Sequence, residues 1–167
     1  MTYPIRSTLL ALTLLASQAP AFAAAINEAD KKFLTDDEQG ARYELALAQM
    51  AQQKATRPEV KAYAARLVKD HETQNPALEK LVASQGVTPS VGMKDEDQTR
   101  LNELSNQAGP AFDGKFVDEA VRVNAKDKKA GDQEKSSTSD ADIKAFLNQF
   151  ASMDSEHEKA ALALQQK

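Results

Sequence analysis

The sequence predicts an all-α protein, an antiparallel four-helix bundle with one long crossover. Three observations carry this. Alanine, leucine, glutamate, lysine and glutamine dominate, with no tryptophan and only six glycines in 167 residues, a balance that favours helix. No stretch sustains period-two alternation, so no sheet is expected. Four long segments place apolar residues at helical spacing, joined in pairs by short links with one long connection between the pairs.

The first residues, MTYPIRSTLLALTLLASQAPAFAAA, have the anatomy of a secretory signal over residues 1–23. Arg6 is the only charge, and the apolar run Leu9 to Ala16 is too short to span a bilayer. Ala21-Phe22-Ala23 offers small residues at both positions that signal peptidase reads. Cleavage is expected after Ala23, with Ala25 as second choice. The implied location is periplasmic, and residues 24–167 form one domain. Cleavage would remove one of the 21 basic side chains and none of the 25 acids, taking the formal charge from −4 to −5. An acidic chain without a basic patch argues against nucleic acid and against docking on an anionic membrane. No segment after the signal predicts membrane insertion. There is no cysteine, hence neither a lipidated start nor a disulfide, and a core must hold the fold.

The first long helix is expected from about Asn27 to Lys54, capped by Asn27 with Asp30 three residues on. Phe33, Gly40, Glu44, Leu47 and Ala51 make one face, with Leu34, Ala41, Leu45 and Ala48 beside it. Gly40 in mid-helix costs about 1 kcal/mol against alanine, which suggests close approach by a neighbour. Thr56-Arg57-Pro58-Glu59 reads as a capping box, and so short a link forces the next helix to run antiparallel. That second helix, Pro58 to Ser84, carries Val60, Ala64, Leu67, His71, Gln74, Leu78 and Leu81 on one stripe. Pro76 either kinks it or breaks it. Gly86 ends it. Val87 to Lys94 reads as a loop, and Asp95 to Gln107 as a short helix with Leu101 and Leu104 inward, stopped by Gly109-Pro110.

The third long helix, Ala111 to Lys135, buries Phe112, Phe116, Val117, Ala120, Val121 and Val123. Asn124 lies on that stripe. Ala125 to Ser137 is almost wholly polar and reads as a solvated or frayed end. The fourth, Asp140 to Gln165, opens with a second capping box at Ser139 to Asp142 and carries Ile143, Phe146, Phe150, Met153, His157, Ala160 and Leu164 on its stripe.

Both histidines of the chain thus fall on apolar faces. Glu44 and His71 lie 13 and 14 residues from the turn near Arg57, which puts them at one height in the hairpin. Glu44, His71, Asn124 and His157 are the candidates for a polar layer in the core. Two readings stay open. One is a hydrogen-bonded network, because buried polar groups need partners. The other is a metal site on Glu44, His71 and His157, with Asn124 as a weak fourth member, since imidazole and carboxylate are transition-metal ligands and bundle cores hold such sites. A di-iron pattern is incomplete. Val68 stands where the second helix needs a glutamate, the fourth offers only Asp154-x-x-His157, and the third puts no carboxylate in the layer. Arg66–Asp70 reads as a surface pair. No Gly-rich phosphate loop or Ser–His–Asp arrangement is present.

These residues resemble the DUF4142 family of exported bacterial proteins, which implies a ferritin-like bundle. The likeness spans Ile26 to Leu164. It rests on Phe33 and Glu44-Leu45, on Pro58-Glu59-Val60-Lys61, and above all on Asp70-His71 with Asn75 and Leu78, the DH-x-x-x-N-x-x-L pattern. Phe112-Asp113, Ile143-Lys144 with Phe146, and His157 extend it. Three positions depart from the family pattern: Asn124 replaces a histidine, Phe116 a tyrosine and Ser152 a proline. The resemblance brings no known activity. The leading expectation is an exported binding or envelope-stress protein without evident catalysis. A metal-binding protein, with a transition metal as cofactor, is the alternative. A protein-interaction module using the polar end of the third helix and the Val87–Lys94 loop is the second alternative.

Overall fold

The computed structural model describes residues 26–166. The signal reading of residues 1–23 lies outside that range. Five helices follow in order: α1 (Glu28–Lys54), α2 (Pro58–Ser84), α3 (Asp95–Ser105), α4 (Gly109–Ser137) and α5 (Ala141–Gln165). Among the described residues there is no strand, and no helix is long and apolar enough to cross a membrane. The expected all-α bundle is what forms.

Around the bundle the order is α1, α2, α5, α4, each long helix packing on two neighbours, while α3 lies on α1 and α4. Neighbours are antiparallel. Thr138 next to α4's end meets Asp30 near the start of α1, and Asp113 near the start of α4 meets Thr56 just past the end of α1. Arg57 reaches the Leu164 carbonyl, so α2 begins where α5 ends. The diagonal helices α2 and α4 therefore run parallel, and the chain between them must travel back along the bundle. Glu38 on α1 pins that crossover by accepting from the Ser90 backbone N–H at 2.5 Å. A Lys94–Asp36 pair at 2.8 Å holds its far end.

The local signals explain the ends of the helices. Asn27 caps α1 by accepting from the Asp30 N–H at 2.9 Å. α2 closes at Gly86, whose φ of +67° suits glycine, with the Val87 N–H returning to the Val82 carbonyl at 3.1 Å. Pro76 sits inside one continuous α2, so the break is excluded. The fourth long helix is capped by Asp140, not Ser139: Asp140 accepts from the Asp142 and Ile143 N–H groups. Gly40 differs from expectation. A Cβ placed there would meet nothing within 4 Å, so no close approach requires it.

The Thr56–Glu59 capping box is replaced by something stronger. Asp113 of α4, fully buried, accepts from the Thr56 N–H at 2.9 Å, the Thr56 hydroxyl at 2.7 Å and the Arg57 N–H at 2.8 Å. One carboxylate thus caps α2 from across the bundle and ties the first hairpin to the second. Burial alone would raise its pKa, but the hydrogen bonds from Thr56 and Arg57 win and hold it below the ordinary value.

The core is in two parts. One apolar cluster gathers Leu47, Ala51, Val60, Leu67, Phe112, Phe116 and Leu164. The other gathers Leu34, Leu78, Val82, Ile143, Phe146 and Phe150 at the opposite end. On α1, α2 and α5, which contribute to both clusters, polar positions mark the boundary: Glu44, His71 and Gln74, Asp154 and His157. α4 contributes to the first cluster alone, and Asn124 and Asp127 follow its apolar stretch.

Replacing Asp113 by alanine leaves two helix-start N–H groups without their acceptor. It is expected to cost about 3 kcal/mol of unfolding free energy, measured by urea denaturation at pH 7. Because the folded pKa is depressed, the contribution of Asp113 is present above the unfolded carboxylate value near 3.9 and is lost as pH falls below it. The gap between wild type and Asp113→Ala should therefore narrow in acid.

Candidate functional site

The polar layer begins with α1. Asp30, Asp37 and Glu44 recur every seven residues, with Leu34 and Ala41 between them. That spacing keeps all five near one face of a helix. On α4, Asp127 and Glu134 repeat the same interval. Antiparallel packing then brings the acids of α1 against those of α4. At the outer end, Asp30 accepts from the Thr138 hydroxyl at 3.1 Å and hydrogen-bonds Glu134. Burial, and then Asp30, push the Glu134 carboxyl up to about 7.

At the middle of the bundle the same seam opens into a cavity of about 30 Å³, enough to admit water. Asp37, Glu44, His71, Gln74, Asn124, Asp127 and Asp154 supply its polar wall, and Phe33, Ala41, Phe146, Leu147 and Phe150 its apolar wall. All four long helices contribute. Gly131, Leu147 and Asp154 also line a groove between α4 and α5, so one layer of side chains parts the cavity from that groove.

Four carboxyls crowd this space, and each has a raised pKa. Burial, then the charges of Asp127 and Asp154, take Asp37 to about 8. Burial, then Glu44, take Asp127 to about 9. Burial takes Glu44 to about 7, although its hydrogen bond with Asp127 pulls the other way. Burial and Asp127 take Asp154 to about 6. Asp127 Oδ2 is buried without an N–H or O–H donor, and its hydrogen bond with Glu44 raises the Asp127 carboxyl while lowering that of Glu44, the signs that go with a proton carried by Asp127.

His71 completes the wall from α2. It is 3 % exposed, and burial lowers its pKa, so the ring is neutral. Its Nδ1 lies 3.4 Å from Asn75 Oδ1, while the Asn75 amide donates to the Ala41 carbonyl at 3.5 Å. This assigns the ring proton to Nδ1. The pair also gives the H-x-x-x-N part of the motif a physical meaning, because residues four apart stack on a helix face. Nε2 is left bare, buried and without a hydrogen-bond partner, 3.4 Å from Glu44 Oε2.

The structure thus brings Glu44 and His71 together, as the register predicts, and turns His157 elsewhere. His157 is 1 % exposed. Its ring centroid is 6.1 Å from that of His71, and its Nε2 lies 2.8 Å from Asp70 Oδ2. Asp70 also pairs with Arg66 at 3.4 Å, so the surface pair extends into the core. Asn124 donates to the Ala120 carbonyl at 2.6 Å and to the Tyr63 hydroxyl at 3.2 Å. Tyr63 in turn donates to the His157 carbonyl at 3.2 Å.

Sequence reasoning missed Asp37, Asp127 and Asp154 as cavity walls. The expectation that the third long helix puts no carboxylate in the layer is corrected: Asp127, one turn past Asn124, reaches Glu44. Its polar second half is helical through Ser137 and turns Glu134 inward. The seven-residue spacing of the acids was the available signal. Among the described residues, no three His, Asp or Glu side chains stand in a set ready to ligate a metal ion. With protons on its carboxyls, the cavity satisfies them by pairing acid with acid.

A family model described as "Domain of unknown function (DUF4142)" matches residues 15–164. No curated protein matches the sequence. Among solved structures, a DUF305 fragment from Deinococcus radiodurans aligns with a TM-score of 0.74 at 11% identity, covering 85% of this chain and 98% of that one. CopM in its Cu(II)-bound form aligns with a TM-score of 0.69 at 19% identity, covering 82% of this chain and 95% of that one. CopM in its Cu(I)-bound form gives the same score at 18% identity. At these identities the likeness is one of fold.

Asp37→Asn tests the electrostatics. The folded pKa of Asp37, about 8, lies above its unfolded value near 3.9. The folded state therefore holds a proton that the unfolded state has released, and stability falls as pH rises between those values. Asparagine imitates the protonated carboxyl and removes that loss. In metal-free protein at pH 8 the variant should melt about 5 °C above wild type, with the difference vanishing near pH 4, as read by calorimetry.

Proposed function

The chain belongs to the DUF4142 family, and from that premise we propose that it is an exported, periplasmic binding protein that takes up one metal cation in the cavity between its two cores. The ligands are drawn from His71, Glu44, Asp37, Asp127 and Asp154. The secretory character of residues 1–23 supports export.

One observation carries the metal reading. A bare imidazole nitrogen, buried and unpartnered, faces a carboxylate oxygen at 3.4 Å in a cavity that three more carboxyls line. Two lone pairs meeting there repel unless a proton or a cation lies between them. Four acids in so small a space is an arrangement that apolar packing would not favour on stability grounds. A cation displaces the shared protons, neutralises the acids and engages Nε2 at once. CopM, similar in fold, exists in copper-bound forms, so a metal centre suits this architecture. His157 keeps its ring on Asp70 and, in this reading, seals the layer from the α2–α5 side without ligating.

The test uses the mature chain, purified without a histidine tag, stripped with chelator and titrated with Zn²⁺ by calorimetry. One equivalent is expected. His71→Ala and Glu44→Gln should each lower the affinity by about 100-fold or more, in line with loss of a metal ligand. Asp118→Asn, a surface change, should leave it unaltered. No uptake, or uptake indifferent to His71 and Glu44, would overturn the proposal.

A further inference from the structure

We infer that the cation this cavity takes is a single divalent ion of the hard-to-borderline class, Mn²⁺, Fe²⁺ or Zn²⁺, and that the cavity refuses Cu⁺. The inference rests on the metal reading just given and narrows it.

The donor inventory decides first. The cavity offers four carboxyls and one free imidazole nitrogen. Carboxylate suits Mn²⁺, imidazole suits Fe²⁺ and Zn²⁺, and Cu⁺ is selected by soft sulfur. Among the described residues no sulfur lines this site. The chain has no cysteine. Met50 and Met93 pack on one apolar cluster and Met153 on the other, and none of them lines the cavity. A second imidazole could compensate for missing sulfur, but the His157 Nε2 is engaged by Asp70 at 2.8 Å.

Donor number and charge narrow the class from the other side. One free imidazole nitrogen and one close nitrogen–carboxylate approach, 3.4 Å to Glu44 Oε2, furnish a centre for one ion rather than a paired-metal site, which takes donors for two ions about 3.5–4 Å apart. Ca²⁺ prefers six to eight oxygens at long range, and Mg²⁺ keeps several waters. Both take oxygen ligands and gain nothing from the imidazole nitrogen on the wall. Four acids also favour a doubly charged ion over a singly charged one, since the attraction scales with the ion's charge. This chain therefore differs from CopM, known in a Cu(I)-bound form, in what its fold is furnished to hold.

The experiment equilibrates the metal-free mature chain, without oxygen, with Mn²⁺ alone and separately with Cu⁺ buffered by a Cu⁺ chelator. Bound metal is counted by mass spectrometry after gel filtration. About one Mn²⁺ per chain is expected, with Cu⁺ below about a tenth of that. The paramagnetic resonance of bound Mn²⁺ should show coupling to one imidazole nitrogen, which His71→Ala removes. Glu44→Gln should lower Mn²⁺ occupancy at least tenfold, and it serves as the second probe if His71→Ala does not fold. Stoichiometric Cu⁺, whether or not Mn²⁺ also binds, overturns the inference while leaving the metal reading standing. Failure of both ions together with Zn²⁺ overturns the metal reading and this inference with it.

Discussion

The structure depends on one constraint: a polar layer must be buried between two apolar clusters without leaving a charge unmatched. Carboxylates and imidazoles taken out of water cost several kcal/mol each unless they find partners. The chain meets that demand in two ways. His157 leans on Asp70 and Arg66, which reach solvent. Glu44, Asp127 and Asp37 have no buried cation to pair with; Asp37 and Asp127 are pushed toward their protonated forms, and Glu44 shares the proton of Asp127 through a hydrogen bond. The neutrality of the layer therefore rests on protons that a cation can replace. The apolar clusters on either side fix the height and width of the space in which the exchange would occur.

Asp113 shows what the same residue type does when it is used for architecture. Its carboxylate receives three hydrogen bonds from a helix start, and its pKa is driven down. The cavity acids receive almost none from the backbone, and theirs are driven up. Acids about four turns apart along the same bundle thus carry opposite signs of shift. The reason is whether N–H donors face them. Full hydrogen bonding marks the acid that holds the hairpins together, and the cavity acids lack it.

Much of the fold was legible in the sequence. The stripe on α2, from Val60 through His71 to Leu81, is buried as its spacing requires, and the turn-counting that set Glu44 level with His71 gives their 3.4 Å approach. Short links and helical periodicity are local signals, and they suffice for that. The cavity was harder to read. Hydrophobic patterning treats aspartate as solvent-facing, so Asp37 and Asp127 looked like surface residues even while recurring seven residues from Asp30, Glu44 and Glu134. The cap on α2 was also hidden. Thr56 and Glu59 satisfy a local rule, but a buried carboxylate 57 residues away outcompetes it, and no window of sequence contains both partners. The orientation of His157 followed Asp70, a neighbour that a helical wheel assigns to the surface.

In the proposed function a cation stands where the Glu44 carboxylate and the bare nitrogen of His71 face each other. Crystals of the mature protein grown with Zn²⁺ and measured at the zinc absorption edge test this most directly. One anomalous peak is expected inside the bundle, about 2.0–2.2 Å from His71 Nε2 and from carboxylate oxygens including Glu44. A cavity without a peak, or zinc held only at His157 or on the surface, would contradict it.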